Sequence, residues 1–152
     1  MIAALYVKSW QRIYEGIMPR LFLDSLSVKD REENLTRILG PKNHQVLVAC
    51  YENTVVGFSS TGIRKKEPTS AELYAIYLHP DYWGKGLGKP LFEAAAQLLR
   101  KQGLEQLMLW VATENVQARS FYNRMGMEAD GATKSESFGG TPVEAVRYWL
   151  DL

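Results

Sequence analysis

Three glycines at alternate positions separate an apolar segment from a segment with helical periodicity. Residues 73–78 are almost entirely apolar and predict a buried strand, whereas leucines and alanines over residues 90–101 mark one face of a helix. Glycine lets the backbone approach a ligand closely, and a helix begins with free N–H groups and the positive end of its dipole. The segment therefore predicts a turn that binds an anion, and we expect a nucleotide pyrophosphate. The glycines and lysines of this turn are Gly84, Lys85, Gly86, Gly88 and Lys89.

Two common nucleotide motifs do not fit the spacing of these glycines. A P-loop that used Gly88 and Lys89 would need a glycine at the position of Trp83, and Pro90 stands where it needs a serine or threonine. A dinucleotide-binding fingerprint would need a glycine three residues after Gly86, where the chain has Lys89. We therefore exclude both motifs.

The periodicity of the remaining chain predicts an α/β fold in which helices are followed by a mixed sheet. The predicted helices span residues 2–16, 20–26, a segment from Ser27 or Asp30 to a stop at Gly40-Pro41, 90–101 and 116–125. The predicted strands span residues 45–51, 54–61, 71–78, 105–112, 127–135 and 143–152, with a turn at Glu52-Asn53 and a charged loop over residues 64–70. Strands 71–78 and 105–112 should be parallel, because a helix connects them. Residues 1–152 contain no linker or repeat, so we expect a single domain.

Composition and charge narrow the function classes. The formal net charge of +1 gives no argument for nucleic-acid binding, and no apolar run approaches the roughly 18 residues of a membrane-spanning helix. The N-terminus lacks the basic residues that precede the apolar part of a signal peptide. Cys50 is the one cysteine, which favours a reducing, cytoplasmic setting, and its place in a predicted strand indicates a packing role. His44, in a predicted solvated loop, and His79, in a turn, stand apart, so we expect no metal site.

A third pattern fits the glycine turn. The segment Trp83-Gly84-Lys85-Gly86-Leu87-Gly88 resembles the Gln/Arg-x-x-Gly-x-Gly/Ala signature of the GNAT superfamily of acetyl-CoA-dependent N-acetyltransferases, with Trp83 at the Gln/Arg position. A second segment, Asn115-x-x-Ala118-x-x-Phe121-Tyr122-x-x-x-Gly126-Met127, resembles another signature of that family, Asn-x-x-Ala-x-x-Phe-Tyr-x-x-x-Gly-Phe. The two segments have the order and separation found in the family, and the resemblance covers nearly the whole chain.

The resemblance implies a GNAT-like fold with acetyl-CoA in a wedge between two strands. The strand that ends at Leu78 and the strand through Trp110 should part at their C-terminal ends. In the family, strand backbone pairs with the pantetheine arm and the glycine turn holds the pyrophosphate. The residues that the resemblance thereby assigns to acetyl-CoA are Ile76, Tyr77, Leu78, Gly84, Lys85, Gly86, Leu87, Gly88, Lys89 and Asn115. The alternative role for Asn115 is that of a helix N-cap. The alternative for the two lysines is a solvated charge without a contact to the cofactor.

Acetyl transfer to an amine needs a base for the amine, donors for the oxyanion and an acid for the departing thiolate. The resemblance places Tyr122 near the cofactor sulfur and makes it the candidate acid; the alternative is a packed tyrosine. Glu72 is the candidate base, acting through an ordered water, because it is the only carboxylate on the strand that leads into the glycine turn. The alternative is an exposed charge at a strand end. Glu114 is a weaker candidate, and Trp110 lies where one branch of the family has its base.

The acceptor is expected to be a primary amine of a small molecule or a peptide, and the sequence does not identify it. Trp10, Tyr14 and Phe22 lie on helices that wall the acceptor site in this family, although hydrophobic packing is the alternative. Tyr74 shares a strand face with Glu72 and is a further candidate. A non-catalytic acyl-CoA-binding module on the same fold is the alternative function, since fold alone cannot separate the two.

The start of the chain departs from the family pattern. Family members usually begin with a strand, whereas this chain starts in the predicted helix over residues 2–16. The first family strand is therefore expected to be missing. Its absence would leave strand 45–51 as an exposed edge, which could pair with a second copy in a homodimer.

Overall fold

The computed structural model describes residues 1–39 and 44–152 of the 152-residue chain. Three helices come first, and six strands interrupted by two further helices follow. The helices are α1 (Ile2–Ile13), α2 (Arg20–Asp24), α3 (Val28–Leu39), α4 (Gly88–Lys101) and α5 (Val116–Arg124). The strands are β1 (His44–Tyr51), β2 (Thr54–Arg64), β3 (Glu67–Leu78), β4 (Gln106–Ala112), β5 (Glu128–Phe138) and β6 (Thr141–Asp151).

The six strands form one mixed sheet in the order β1-β2-β3-β4-β6-β5. β3 and β4 are parallel and are connected by α4, whereas the other neighbouring strands are antiparallel. The prediction of a mixed sheet flanked by helices is therefore confirmed, as is the parallel pair at its centre. The turn that contains the glycines follows the C-terminal end of β3 and leads into α4. It therefore lies beside β4, the strand that follows α4.

Local signals explain where several elements begin. The Asp30 N–H donates to Ser27 Oγ at 3.2 Å, so Ser27 is the residue that caps the start of α3. Glu52 and Asn53 both have positive φ, as expected for a two-residue hairpin turn between twisted strands. The predicted helix stop at Gly40-Pro41 lies outside the described residues.

The largest difference from the predicted elements lies between β2 and β3. The sequence predicts a charged loop over residues 64–70, but both strands continue into this segment and Lys65-Lys66 alone connects them. The Arg64 guanidinium donates to the Glu67 carboxylate across this turn. The ladder is irregular immediately afterwards, and the irregularity accommodates Pro68, which has no N–H to give to a neighbouring strand.

Helices cover both faces of the sheet. α4 and α5 pack on one face, in a cluster of buried residues that includes Leu73, Phe92, Leu99, Leu107, Leu109, Val111 and Tyr148. α1 and α2 pack on the other face, in two smaller clusters that include Leu5, Phe58 and Ala75, and Met18, Leu23, Ala112 and Val143. Burying one large aliphatic side chain contributes about 1.5–3 kcal/mol, so these clusters fix the position of both helical layers against the sheet.

β1 forms one edge of the sheet, and within the described residues no strand precedes α1. Val48 is 46% exposed on this edge. The homodimer stays a prediction. Cys50 is also exposed, at a break in the regular pairing next to Ala49, so its predicted packing role is wrong. None of the described helices is long and apolar enough to cross a bilayer.

Candidate active site

The parallel ladder between β3 and β4 stops early. Three residue pairs join the strands, and the last of them is Glu72 with Met108. Beyond this point β4 continues beside β6 as far as Ala112, and β3 continues beside β2 as far as Leu78. The two strands therefore part toward their C-terminal ends and leave a wedge-shaped gap, as the family resemblance implies.

A β-bulge in β3 lies close to the point where the strands part. Ser60 on β2 pairs with Ala75 and Thr61 pairs with Leu73, so Tyr74 is an extra residue on β3. The extra residue changes the alternation of side chains, because Leu73 packs in the α4 cluster whereas Ala75 packs in the α1 cluster. A bulged strand also bends, and this bend favours the separation of β3 from β4.

A cavity of about 690 Å³ lies between the end of β3, the glycine turn and α5. This volume is in the range of sites for small molecules and cofactors. Of the residues predicted from the sequence, those in the lining are Ile76, Tyr77, Leu78, Gly84, Gly86, Leu87, Gly88, Lys89, Asn115 and Tyr122. The lining residues that the sequence analysis did not single out include Ile13, Gln117, Arg124 and Met125. The structure thus brings most of the predicted cofactor residues to one cavity.

The glycine turn has the backbone that its sequence predicts. Gly84 and Gly86 have φ values of 74° and 76°, which side chains disfavour, although nothing lies within 4 Å of a Cβ at either position. Gly88 has a different role, because a Cβ there would lie 3.2 Å from the Phe121 ring. The first two glycines therefore shape the turn, and the third lets the start of α4 pack closely on α5.

Two protein groups bind the carbonyl at the end of β3. The Trp83 indole N–H donates to the Leu78 carbonyl oxygen at 2.8 Å, and the Ser9 hydroxyl donates to the same oxygen at 3.2 Å. A carbonyl oxygen has two lone pairs, so these donors occupy its acceptor positions. Trp83, at the Gln/Arg position of the family signature, therefore anchors the glycine turn to the strand that precedes it.

The two lysines of the turn differ in their surroundings. The Lys85 ammonium lies 4.6 Å from the ring centroid of Tyr82 and 5.7 Å from that of Tyr51, and Lys85 does not line the cavity. Lys89 does line the cavity, and its ammonium lies 3.7 Å from the Glu93 carboxylate. The position of Lys89 is the more suitable one for contact with a bound anion.

Tyr122 lies in the wall of the cavity, on α5. Its ring contacts those of Phe121 and Tyr148, with centroids 5.5 and 6.4 Å apart. Burial raises the pKa of the Tyr122 hydroxyl, and the nearby Tyr14 hydroxyl adds to the rise. The group is therefore protonated at neutral pH, which is the state that an acid requires.

Asn115 combines two features that the sequence left as alternatives. Its Oδ1 accepts a hydrogen bond from the Ala118 N–H at 3.1 Å, so it caps α5. The same residue lines the cavity. The cap fixes the orientation of the side chain at the edge of the cavity.

Glu72 is partly buried at the narrow end of the gap, outside the lining of the cavity. Burial raises the pKa of its carboxyl, while Lys134 and Arg64 oppose the rise and Glu136 adds to it. A carboxyl with a raised pKa is a stronger base than an ordinary one when it is ionised. The surroundings of Glu72 therefore suit proton transfer better than those of a solvated strand-end charge.

Trp10 links α1 to the cavity wall. Its indole N–H donates to the Tyr77 hydroxyl at 3.0 Å, and its ring lies 4.8 Å from that of Tyr14 and 5.8 Å from that of Phe138, between centroids. Phe138 in turn lies 5.8 Å from Phe22. Trp10 and Tyr14 thus stand beside the cavity, in an aromatic cluster that joins α1 and α2 to the β5–β6 hairpin.

Tyr74 points to a different part of the molecule. Its ring stacks on His44, with centroids 4.9 Å apart and an interplanar angle of 17°, and it is 47% exposed. Tyr74 does not line the cavity. The prediction of a solvated loop at His44 is wrong, because this residue begins β1 and packs against β3. His79 is structural, since its Nδ1 accepts the Asp81 N–H at 3.4 Å in the 3-10 turn over Pro80–Tyr82.

Across residues 1–39 and 44–152, no group of three or more His, Cys, Asp or Glu side chains is placed to hold a metal ion. The polar groups around the cavity are instead backbone amides, hydroxyls, two amide side chains and cations. Such a set suits an anionic organic ligand.

Comparison with known proteins agrees with this geometry. Residues 7–127 match the model of the acetyltransferase (GNAT) family. The chain is 34% identical to the uncharacterized N-acetyltransferase YuaI of Bacillus subtilis (strain 168), over 99% of this chain and 87% of that protein. It is 28% identical to the spermidine N(1)-acetyltransferase of Thermoplasma acidophilum, over 85% of this chain and 81% of that one.

Solved structures give the same result. The PaiA N-acetyltransferase from Thermoplasma acidophilum, solved in complex with coenzyme A, superposes with a TM-score of 0.71 at 25% identity. The superposition covers 95% of this chain and 88% of the other. The parted strands, the glycine turn and the family match lead to one conclusion: this chain belongs to the GNAT family of acetyltransferases.

Proposed function

We propose that this protein transfers an acetyl group from acetyl-CoA to a primary amine by direct attack, with Tyr122 as the acid and Glu72 as the base acting through a water molecule. The observation that carries the proposal is the cavity of about 690 Å³, which reaches from the glycine turn to Tyr122. It lies beyond the point where β3 and β4 part, and Glu72 marks that point. Family membership supports the reaction class.

The cavity offers a separate set of groups to each part of acetyl-CoA. The N–H groups of the glycine turn and of the first turn of α4 bind the pyrophosphate. The edge of β3 that faces the gap, in the segment around Ile76 and Tyr77, pairs with the amides of the pantetheine arm through the backbone groups that are not bonded to β2. The Leu78 carbonyl already accepts two hydrogen bonds, so we assign to Leu78 a contact through its side chain.

The proposed proton transfers involve two residues with raised pKa values, Glu72 and Tyr122. The amine nitrogen attacks the thioester carbonyl carbon, and its proton passes through water to the Glu72 carboxylate. The C–S bond then breaks, and the departing thiolate takes the proton of the Tyr122 hydroxyl. Tyr122 regains a proton from solvent while Glu72 loses one. Burial raises the pKa of both groups, so Glu72 is a stronger base when it is ionised, and Tyr122 carries its proton at neutral pH when the thiolate forms.

The acceptor enters from the side of α1 and the β5–β6 hairpin, where Trp10 and Tyr14 are the candidate contacts. Tyr74, which stacks on His44, is a candidate for a more distant contact. The relative named for spermidine makes polyamines the first acceptors to test. Aminoglycosides, free amino acids and peptides with a free N-terminus complete a panel of primary amines that differ in size and charge.

The test is a measurement of thiol release from acetyl-CoA by the purified protein in the presence of each amine, with mass spectrometry of the amine product. Release that depends on one class of amine, together with an acetylated product, supports the proposal. Coenzyme A binding without release for any amine favours a non-catalytic acyl-CoA-binding module instead. A ligand at 100 times its Kd stabilises the folded state by about 2.7 kcal/mol, so thermal denaturation detects binding independently of turnover.

A further inference from the structure

One part of the sheet face beneath α1 and α2 lies outside the hydrophobic clusters that hold these helices. The clusters include Ala75 and Ala112, near the C-terminal ends of β3 and β4. Glu72 and Trp110 come earlier on the same strands, are half-buried and belong to neither cluster. We call this region the open face, and its side chains are Arg64, Glu72, Trp110, Lys134, Arg147 and Trp149.

The strand register places the candidate base beside two tryptophans on the open face. Glu72 pairs with Met108 of β4, and Met108 pairs with Trp149 of β6. Side chains of directly paired residues lie on the same face of a sheet. Trp110 follows Met108 by two residues and therefore lies on that face as well, with Arg147 as its partner. An acceptor that reaches Glu72 across the open face passes these indole rings.

Three cations lie over the two rings. The Lys134 ammonium is 4.9 Å from the Trp110 centroid, and the Arg64 guanidinium is 5.2 Å from the Trp149 centroid. The Arg147 guanidinium is 5.6 and 5.5 Å from the centroids of Trp110 and Trp149. An indole face attracts a cation within about 6 Å of its centroid. The rings thus hold positive charge on the approach to Glu72.

Both arginines already have carboxylate partners. Two nitrogens of Arg147 contact Asp130 Oδ2, at 2.6 and 2.7 Å. The Arg64 guanidinium donates to the Glu67 carboxylate, and the Arg64 side chain is only 19% exposed. These two cations are fixed in place and contribute to the field of the open face.

Lys134 is more available to a ligand than the arginines. Its ammonium lies 2.5 Å from the Glu136 carboxylate, but the two side chains are 39% and 51% exposed. An ion pair in such solvated surroundings contributes little, and an ammonium has three donors. Lys134 therefore has donors for a second anion.

Glu72 offers the opposite charge. In the part of the chain that the structure describes, no ion pair includes Glu72. Burial raises the pKa of its carboxyl, and Lys134 opposes this rise more strongly than Arg64 does. The open face thus presents a carboxylate that no ion pair neutralises and, near it, a cation with spare donors.

We propose that Lys134 binds a carboxylate of the acceptor, so that the acceptor is a zwitterion of the amino-acid class with its amine at Glu72. This inference rests on the proposed function, because it takes Glu72 as the base for the amine. A polyamine would bring two or more positive charges to a face that already carries three cations. An amino acid brings one charge of each sign, and the Trp110 indole gives its carbon skeleton an apolar surface next to Lys134.

The experiment compares amino acids with the amines that remain when their carboxylate is removed. The matched pairs are L-lysine with cadaverine and L-phenylalanine with phenethylamine. In each pair that the wild-type protein acetylates, we expect kcat/KM to be about tenfold or more higher for the amino acid, mainly through a lower KM. This comparison needs no variant.

Substitutions of Lys134 then assign the preference to one side chain. Lys134→Gln should reduce the preference about tenfold, Lys134→Glu should reverse it, and Lys134→Arg should keep it, because arginine keeps the charge. The ratio within a pair cancels any effect of the substitution on Glu72 or on acetyl-CoA binding. Lys101→Gln is the control, since Lys101 is exposed at the end of α4, on the other side of the sheet, and it should keep the wild-type ratio.

Three results would overturn the inference and leave the proposed function intact. The wild type could acetylate the decarboxylated amines as well as or better than the amino acids. It could acetylate other amines and neither amino acid. Lys134→Gln could keep the wild-type ratio, which would assign the preference to another group. A wild-type protein that acetylates no amine of any class would instead overturn the proposed function.

Discussion

Glu72 lies opposite Met108 in the last residue pair that joins β3 to β4. The candidate base is therefore held by the final rung of the parallel ladder, and the gap opens immediately beyond it. Regular pairing fixes the backbone of Glu72 from both sides, since Gly62 is its partner on β2. A rigid backbone at this place holds one carboxylate at the point where the gap opens.

The substitution Glu72→Gln should lower kcat/KM by about a hundredfold or more, because it removes the proton acceptor. A general base acts in its ionised form, so the wild-type rate should fall as the pH drops through the pKa of Glu72. Burial raises that pKa above 4.5, so the fall should occur at higher pH than for an ordinary carboxyl. The measurement is the pH dependence of kcat/KM.

Glu114→Gln is the control for this experiment, because Glu114 is exposed and is the second carboxylate considered from the sequence. It should leave both the rate and the profile unchanged. A Glu72→Gln variant that keeps the acidic limb of the profile would assign the base to another group.

The substitution Tyr122→Phe should lower kcat more than tenfold and should leave acetyl-CoA affinity nearly unchanged. The hydroxyl is the proposed proton donor, whereas the ring packs against Phe121 and Tyr148 and is preserved in the variant. Steady-state kinetics and a direct binding measurement separate the two effects. The control is Tyr51→Phe, a matched substitution on the edge strand β1, outside the lining of the cavity. Unchanged turnover in Tyr122→Phe would contradict the role of Tyr122 as the acid.

The substitution Gly86→Ala should lower both stability and acetyl-CoA affinity. Gly86 has a φ of 76°, and a left-handed conformation costs an L-residue about 1–2 kcal/mol. Gly103→Ala provides the comparison, because Gly103 has a similar φ of 79° after the end of α4, with open space around its Cβ position as well. Both variants should lose a similar amount of stability in thermal denaturation, and Gly86→Ala alone should lose affinity. Equal affinities would argue against the turn as the pyrophosphate site.

Asp130 should contribute a pH-dependent part of the stability. The Arg147 Nε–H donates a hydrogen bond to Asp130 Oδ2 at 2.7 Å. This bond lowers the pKa of the Asp130 carboxyl to about 2, and hydrogen bonds from the Ala132 and Trp149 N–H groups contribute to the decrease. Because the pKa is lower in the folded state than the ordinary 3.8, the stabilisation is complete above the ordinary pKa and disappears as the pH falls toward 2.

The melting temperature of Asp130→Asn should therefore lie below that of the wild type at pH 6, and the difference should shrink as the pH approaches 2. In an Arg147→Gln background the substitution should change the pH dependence less, since the main partner is gone. A difference that stays constant with pH would contradict the ion pair as its source.

The parts of the fold that could be predicted from the sequence are those with local signals. The positive φ values of Gly84 and Gly86 follow from the residue type, and the hairpin turn at Glu52-Asn53 follows from two short strands with two residues between them. Asn115 is a cap by its chemistry as well as by its place in the family signature. The predicted cofactor residues meet at one cavity because most of them belong to two short continuous segments.

The parts that could not be predicted depend on pairing across the sheet. The bulge at Tyr74 exists because of the register between β2 and β3, which no residue type in β3 encodes by itself. The charged residues and Pro68 over residues 64–70 have the composition of a loop, yet most of them belong to β2 and β3, and an irregularity in the ladder accommodates them. Cys50 lies in an apolar run, but its strand is an edge of the sheet, and its exposure depends on that position in the strand order.

The indole of Trp83 is a third example. The family signature has a polar residue at this position, so the sequence suggests that Trp83 removes one contact with the ligand. Its N–H reaches back to the Leu78 carbonyl, a contact that becomes visible when the turn is folded onto the end of β3.

The parted strands have a consequence for amide exchange with solvent. Beyond Glu72 and Met108, the described residues of β3 and β4 do not pair with each other, so the N–H groups that point into the gap meet solvent and not a neighbouring strand. In hydrogen–deuterium exchange these amides of residues 73–78 should exchange quickly in the free protein, while their alternate neighbours, bonded to β2, should be protected. An extended ligand arm in the gap would take the place of the missing rung. A ligand bound in this way would act as a temporary strand of the sheet, and its binding should slow the exchange of individual amides along one side of β3.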